Sequence, residues 1–115
     1  MAEISEKERA ELLEKYGDEV CFVHRRKHGT FVFRKPSPIL WKKFQSALDK
    51  KNATRQVCVD QLCIDCLCYP EAADGRPDYA KLTALLEDYP ALAMDELFED
   101  LAKLAMGRED ISGKL

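Results

Sequence analysis

The apolar side chains of this 115-residue chain are densest between Thr54 and Tyr69, where four of its five cysteines also lie. At about 100° per residue, a helix over 54–69 would collect four apolar side chains on one face: Val59, Leu62, Cys63 and Cys66. Ile64 and Cys68 fall on the far side, so the pattern predicts a central helix that is buried nearly all round. Pro70 is expected to end it, because the residue before a proline is disfavoured in the helical conformation.

The N-terminal third of the chain predicts one helix and one hairpin. Ser5-x-x-Glu8 has the form of a capping box, which predicts a helix over 5–15. Segments rich in Val and Phe on either side of a polar turn predict a β-hairpin over 19–34. The hairpin is expected to pack on the helices through one face that carries three aromatic rings: Phe22, Phe31 and Phe33.

Apolar spacing and prolines predict three further helices and a tail. The helices cover residues 38–49, 78–89 and 91–106. Residues 108–115 are expected to form a frayed tail. The predicted fold class is therefore α+β: an N-terminal helix and a small β-hairpin followed by a four-helix, mainly α-helical domain. A chain of this length is expected to form a single domain over 1–115.

The charges are unevenly distributed, although the net charge is only −3. Residues 20–48 carry seven lysines and arginines and no acid, whereas residues 60–100 carry eleven acids and only two basic residues, Arg76 and Lys81. One end of the molecule is therefore expected to be positive and the other negative. This polarity favours head-to-tail association or a charged partner.

The compartment is predicted from two features. No apolar run approaches the ~20 residues of a membrane span. The charged N-terminus has the pattern of a helix rather than a signal peptide. A cytoplasmic protein with reduced cysteines and no membrane partner is therefore expected.

The cysteines allow two interpretations. In the first, they are free thiols that fill space in the core as small apolar side chains do. In the second, an iron–sulfur cluster or a zinc ion is held by a C-x4-C-x2-C set and one further ligand: Cys58, Cys63 and Cys66, completed by Cys68, Cys21, His24 or His28. No glycine lies between Gly29 and Gly75 to wrap a loop around a metal, and helical geometry directs Cys58 and Cys63 about 140° apart. Free thiols are therefore favoured, and no cofactor or metal is expected.

Nothing in the sequence predicts catalysis. His24 and His28 flank the hairpin turn, where a solvated basic turn is a simpler interpretation than a general base. Paired carboxylates such as Glu87-Asp88 lie on the polar faces of predicted helices. Glycine-rich phosphate-binding motifs are absent, and the acidic second half disfavours nucleic acid. The chain is predicted not to be an enzyme.

The C-terminal helices carry more apolar residues than one buried face requires. Ten occur within 22 residues: Leu85, Leu86, Tyr89, Leu92, Met94, Leu97, Phe98, Leu101, Leu104 and Met106. Part of this surface either stays exposed as a groove or an oligomer seam, or closes entirely over the central helix. The pattern leaves both outcomes open.

Four short motifs occur in order between Thr30 and Gly107: Phe33-Arg34-Lys35-Pro36, Trp41-Lys42-Lys43-Phe44, Cys66-Leu67-Cys68-Tyr69-Pro70, and Leu85-Leu86 with Tyr89-Pro90-Ala91-Leu92. Together they resemble the tail assembly chaperones of long-tailed bacteriophages. Those proteins commonly run as a strand ending in an aromatic residue and RKP, a helix with an aromatic pair, a helix closing on a C-x-x-x-P step, and two helices split by a proline. The cysteine density here exceeds what that pattern requires, and the N-terminal helix has no clear counterpart in it.

The resemblance implies a binding protein of the infected host cytoplasm that is absent from the mature virion. Its partner would be the tape-measure protein, whose hydrophobic helical segments it would shield until the tail tube polymerises; contact with the tube protein and homo-oligomer formation are further options. As a hypothesis, the groove is assigned to five residues: Tyr89, Leu92, Met94, Phe98 and Met106. Two alternatives stay open, the metal-binding module and a phage-encoded inhibitor that binds a host protein through its acidic face.

Overall fold

Residues 4–115 are described by the structure, a computed structural model, and they form an α+β fold with a three-stranded sheet. The elements in chain order are α1 Glu6–Tyr16, β1 Val20–Arg25, β2 Gly29–Arg34, α2 Pro38–Leu48, α3 Arg55–Cys66, β3 Leu67–Tyr69, α4 Tyr79–Asp88, a π-helical turn Ala93–Leu97, and α5 Phe98–Ala105. Among these residues, no helix combines the length and the apolarity needed to cross a membrane.

The third strand corrects the predicted fold class. Leu67–Tyr69 pairs antiparallel with β2, so the sheet has the order β1-β2-β3. The prediction of an N-terminal helix and a two-stranded hairpin followed by a four-helix domain is therefore wrong. The central helix, expected over 54–69, ends at Cys66, where the backbone of Leu67 becomes extended. Pairing with β3 satisfies backbone groups of β2 that a two-stranded hairpin would leave open.

The hairpin register gives the sheet two apolar faces. Cys21 pairs with Phe33, and both side chains lie in the main core beneath the C-terminal helices. Phe22 pairs with Val32 on the opposite face, where α1 packs. Successive residues of a strand point to opposite faces, so the expectation that Phe22 shares a face with Phe31 and Phe33 is wrong.

The helix α1 covers the second face of the sheet. Its N-cap is Ser5, whose hydroxyl accepts the Glu8 N–H at 3.1 Å. Below it lies a small core formed by four buried residues: Ile4, Leu12, Val20 and Val32. The sheet is therefore the middle layer of the fold, with α1 on one side and the other helices on the other.

The central helix α3 is buried on one face only. The buried side chains include the four that helical spacing predicts, and Cys58 joins them: Cys58, Val59, Leu62, Cys63 and Cys66. That face is confirmed. Val57, on the other side of the helix, is 64% exposed, so the expectation of burial nearly all round is wrong.

The C-terminal part differs from the prediction in two respects. Residues 91–106, expected as one regular helix, begin with the π-helical turn Ala93–Leu97 and continue as α5. The frayed tail expected over 108–115 is also wrong, because Ile111 is buried in the main core. Backbone N–H groups of the tail also donate to the buried carboxylate of Asp100.

Candidate partner-binding surface

The five residues assigned to the groove lie in three environments. Leu92 is buried in the main core, and Met94 and Phe98 are partly buried against it. The Tyr89 ring, by contrast, contacts the hairpin turn. Met106 is 64% exposed after the end of α5, about 12 Å along the helix from Phe98 at 1.5 Å per residue. The fold thus packs Leu92, Met94 and Phe98 in or against the main core and places the side chains of Tyr89 and Met106 elsewhere.

Phe98 belongs to an aromatic cluster, by which we mean Trp41, Phe44 and Phe98. The rings of Trp41 and Phe98 are stacked with 6° between their planes and 6.5 Å between centroids, and the Phe44 centroid lies 5.5 Å from that of Phe98. The Arg55 guanidinium lies 5.1 Å from the Phe98 centroid on the same assembly. Phe44 is buried, whereas Trp41 and Phe98 are only partly buried. Two large rings and one cation are therefore available to a partner.

The π-helical turn sets the direction of Phe98. The Phe98 N–H donates to the carbonyl of Ala93, five residues earlier, instead of four as in an α-helix. The extra residue in this turn rotates the side chains that follow it relative to those before it. Leu97 and Leu101 remain in the main core while Phe98 contacts the rings of α2. Such turns are frequent at functional sites.

Charge changes sign across the aromatic cluster. On the α2 and α3 side, Lys42, Lys43 and Arg55 are exposed. Lys43 lies 3.3 Å from the Asp65 carboxylate. On the C-terminal side the exposed residues are acids: Asp95, Glu96 and Glu99. The cluster therefore lies at the boundary between the basic and the acidic parts of the chain. A charged amphipathic partner would be oriented by this boundary.

Tyr89 lies in a separate polar cluster at the hairpin turn. His28 Nε2 is 2.7 Å from the Asp88 carboxylate, and Lys27 donates to the same oxygen at 3.1 Å. The hydrogen bond from His28, followed by that from Lys27, holds the pKa of Asp88 below its usual value. The Arg25 guanidinium lies 5.7 Å from the Tyr89 centroid. The His28 side chain is only 10% exposed, so the interpretation of a solvated turn is wrong for this histidine.

The cysteines have the environment of core residues. All five are free thiols, and all but Cys68 are buried. Burial raises the pKa of Cys66 to about 12 and that of Cys68 to about 11, and it raises the pKa of Cys21 and Cys63 as well. Thiols with raised pKa are poor nucleophiles and poor metal ligands at neutral pH. Within residues 4–115, no three His, Cys, Asp or Glu side chains are arranged to hold a metal ion.

Removal of metal is expected to leave the stability of this protein unchanged. Because its thiols fill space in the core, dialysis against a strong chelator should not move the midpoint of thermal unfolding. The measurement is a pair of melting curves with elemental analysis of both samples. A lower midpoint after dialysis, accompanied by loss of about one zinc or iron per chain, would contradict this expectation and revive the metal-binding alternative.

The aromatic cluster has the composition of a docking surface. Aromatic side chains and arginine are enriched in the cores of protein interfaces, and lysine is depleted there. Here two partly exposed rings and Arg55 form the centre, and Lys42 and Lys43 are on the same helix as Trp41.

Comparison of the chain with family models, with curated proteins and with solved structures found no match.

The sequence predicts one half of this surface, the half that contains Phe98. The apolar surplus of the C-terminal helices indicates Phe98, whereas Trp41 enters the prediction only through the motif Trp41-Lys42-Lys43-Phe44. The stacking of the two rings depends on how α2 and the last helix pack, which no local pattern encodes. The available signal was the Trp41-x-x-Phe44 spacing, since residues three apart on a helix lie on one face.

Proposed function

We propose that this protein is a phage tail assembly chaperone that binds the tape-measure protein and shields its hydrophobic helical segments until the tail tube polymerises. The observation that carries the proposal is the aromatic cluster with Arg55 over Phe98. It offers apolar area and a cation to an amphipathic helix without a catalytic group beside it. The protein acts by binding alone, in the cytoplasm of the infected bacterium, and does not remain in the mature virion.

The placement of the four resembling motifs supports the proposal. Residues 33–36 end β2 and lead into α2, and Trp41 and Phe44 supply two rings of the aromatic cluster. Residues 66–70 contain the last residue of α3, the strand β3 and Pro70, and residues 89–92 join α4 to the π-helical turn. One motif thus supplies rings of the cluster, and parts of the other three lie where one element of the fold gives way to the next.

Binding and release follow from elementary energetics. A helix that docks its apolar face on Trp41 and Phe98 removes apolar surface of both proteins from water, at about 25 cal/mol per Å². Acidic residues beside that apolar face would pair with Lys42, Lys43 and Arg55, which fixes the orientation of the helix. Tube protein that polymerises on the same helix removes it from the binding equilibrium, so the chaperone dissociates by mass action.

Phe98→Glu is expected to weaken binding of a co-expressed tape-measure protein by at least ~30-fold, the effect of losing a central aromatic anchor. The substitution places a carboxylate between Trp41 and Arg55, where an apolar helix would dock. Affinity is measured by co-purification and then by titration of the purified proteins. The matched control is Ile39→Glu, because Ile39 shares helix α2 with Trp41 and is 78% exposed but does not belong to the aromatic cluster.

Circular dichroism spectra of both variants establish that they are folded before their affinities are compared. Wild-type affinity in a folded Phe98→Glu variant would refute the docking surface. Failure of the wild-type chain to bind any tape-measure protein would refute the chaperone function itself. A host protein that binds instead, with affinity falling steeply as salt is added, would identify the alternative of an inhibitor acting through the acidic face.

A further inference from the structure

The C-terminal segment Ile111–Leu115 is held by a buried carboxylate. Asp100, on α5, is only 5% exposed. One of its oxygens accepts the Ser112 N–H at 2.9 Å, and the other accepts the Gly113 N–H at 2.8 Å. The carboxylate therefore recognises two consecutive backbone N–H groups, which any extended peptide can present.

Gly113 is selected by the space around it. The Phe22 N–H of β1 donates to the Gly113 carbonyl at 2.9 Å, so the segment lies directly against this strand. A Cβ atom on residue 113 would overlap the Phe22 carbonyl oxygen and approach the Asp100 carboxylate to 3.1 Å. Because the overlap is with backbone, it cannot be relieved by a rotamer change. The site thus requires glycine at this position.

Three further contacts complete the site, which we call the latch. Ile111 inserts its side chain into the main core. Arg9 Nη1 donates to the Lys114 carbonyl at 2.8 Å, and the same guanidinium lies 5.0 Å from the Phe22 centroid. Leu115 packs against the small core beneath α1. The latch therefore recognises the five-residue segment through its backbone groups, through Gly113 and through the apolar side chains of Ile111 and Leu115.

The latch also covers an edge of the sheet. The order β1-β2-β3 places β1 at the edge, and an open edge is a template for pairing with another strand. The Gly113 carbonyl satisfies the outward N–H of Phe22. The outward carbonyl of His24 accepts from the Arg25 side chain at 3.0 Å. The edge of β1 is thus covered in part by the Arg25 side chain and in part by the segment Ile111–Leu115.

The connection to this segment is exposed and short. Residues 107–110 are exposed and begin at Gly107, which has a positive φ of 76°. Arg108 and Lys103 both contact the Asp110 carboxylate and fold the connection back on α5. These are surface ion pairs of small energetic value, whereas an empty latch would deprive the Asp100 carboxylate of the two N–H donors that it has in the occupied latch. Replacement of one segment by another is therefore favoured over a state in which the latch is empty.

We propose that the latch is a self-association site, in which the segment Ile111–Leu115 of one copy occupies the latch of a second copy. Both copies carry the same segment and the same latch, so the exchange is reciprocal and closes as a symmetric dimer. At low concentration the chain's own segment wins, because its effective concentration is on the order of millimolar. The proposal is independent of the tape-measure partner, since it uses the β1 edge rather than the aromatic cluster.

A peptide tests the latch directly. The receptor is the full-length chain with Gly113→Ala, whose own segment no longer fits, and the probe is a fluorescently labelled peptide with the sequence of residues 108–115. We expect binding by fluorescence anisotropy, and at least tenfold weaker binding to the wild-type chain, whose own segment competes. The matched control is the same peptide carrying Gly113→Ala, which is expected not to bind. Equal behaviour of the two peptides would overturn the proposal.

Exchange between copies is tested in a chain that retains the native latch. Deletion of Glu109 and Asp110 shortens the connection by up to ~7 Å, which we expect to disfavour the segment's own latch relative to that of a partner. Size-exclusion chromatography with light scattering is expected to show a dimer, and Gly113→Ala in the same background is expected to return it to a monomer. A deletion variant that stays monomeric at every concentration, or a dimer that Gly113→Ala does not dissolve, would overturn the proposal.

Discussion

Raising the pH from 9 to 11 is expected to unfold this protein through its buried thiols. Cys21, Cys63 and Cys66 are fully buried, and burial raises the pKa of each above the usual 9.0, to about 12 for Cys66. The unfolded chain therefore releases these protons near pH 9 while the folded chain still holds them. Stability is fully present below pH 9 and falls as the pH rises towards the folded values.

The size of the effect follows from the number of thiols. Each thiol that is ionised only in the unfolded state lowers the free energy of unfolding by about 1.4 kcal/mol per pH unit. Three such thiols give a slope of about 4 kcal/mol per pH unit. The partly buried Cys68, whose pKa is also raised by burial, adds a smaller loss of the same sign. The total stability of a domain of this kind is roughly 5–15 kcal/mol. Burial also raises the pKa of Tyr16, which adds a loss of the same sign at higher pH.

The slope is measured by urea unfolding at a series of pH values between 8 and 10.5. Cys63→Ala is the informative variant, because it removes one buried thiol and leaves Cys21 and Cys66 in place. We expect its slope above pH 9 to be about one quarter to one third smaller than that of the wild type, because Cys68 also contributes to the slope. A stability that stays flat across this range, or a slope unaffected by Cys63→Ala, would show that the thiols are accessible to water in the folded chain.

The helices could be predicted because their signals are local. Ser5 and Ser37 each accept a backbone N–H three residues later, as N-cap residues do, and the buried face of α3 follows from the 3.6-residue period. Such patterns involve residues within one or two turns of each other. They hold whatever the rest of the chain does.

The features that could not be predicted depend on contacts between different elements of the fold. Leu67–Tyr69 is too short to show a strand period, and it becomes a strand because Val32 and Phe33 offer an edge more than thirty residues earlier. The tail has a single large apolar residue before its last position, Ile111, and its order depends on the Asp100 carboxylate. Neither interaction belongs to the repeat pattern of a single helix or strand, so periodicity does not reveal it.

Only part of the candidate surface could be predicted, again because local patterns do not reveal how the elements pack. Apolar surplus identified Phe98, but it could not distinguish Leu92, which the turn after α4 directs into the main core. Periodicity assumes a regular helix, and the π-helical turn at Ala93–Leu97 breaks that assumption between these two residues. The count of apolar residues therefore indicates that an apolar surface exists, but it does not indicate which residues form that surface.

Phe33→Ala is expected to lower the free energy of unfolding by about 3–5 kcal/mol, the range for deleting a buried aromatic ring. Phe33 is fully buried, and its backbone pairs with Cys21 on one side and Leu67 on the other. The lost ring leaves a cavity where all three strands meet the main core, and the surrounding helices can fill it only in part. For a chain of this size the unfolding midpoint should fall by roughly 12–20 °C.

Phe22→Ala is the matched control, because it deletes the same ring from the neighbouring strand. Phe22 is only partly buried and faces the layer formed by α1, where the Arg9 guanidinium covers its ring. A loss of about 1–2 kcal/mol is expected, since less surface returns to water and α1 can settle onto the gap. Both values come from thermal and urea unfolding of the two variants side by side. If Phe22→Ala cost as much as Phe33→Ala, the register that separates the two faces of the sheet would be incorrect.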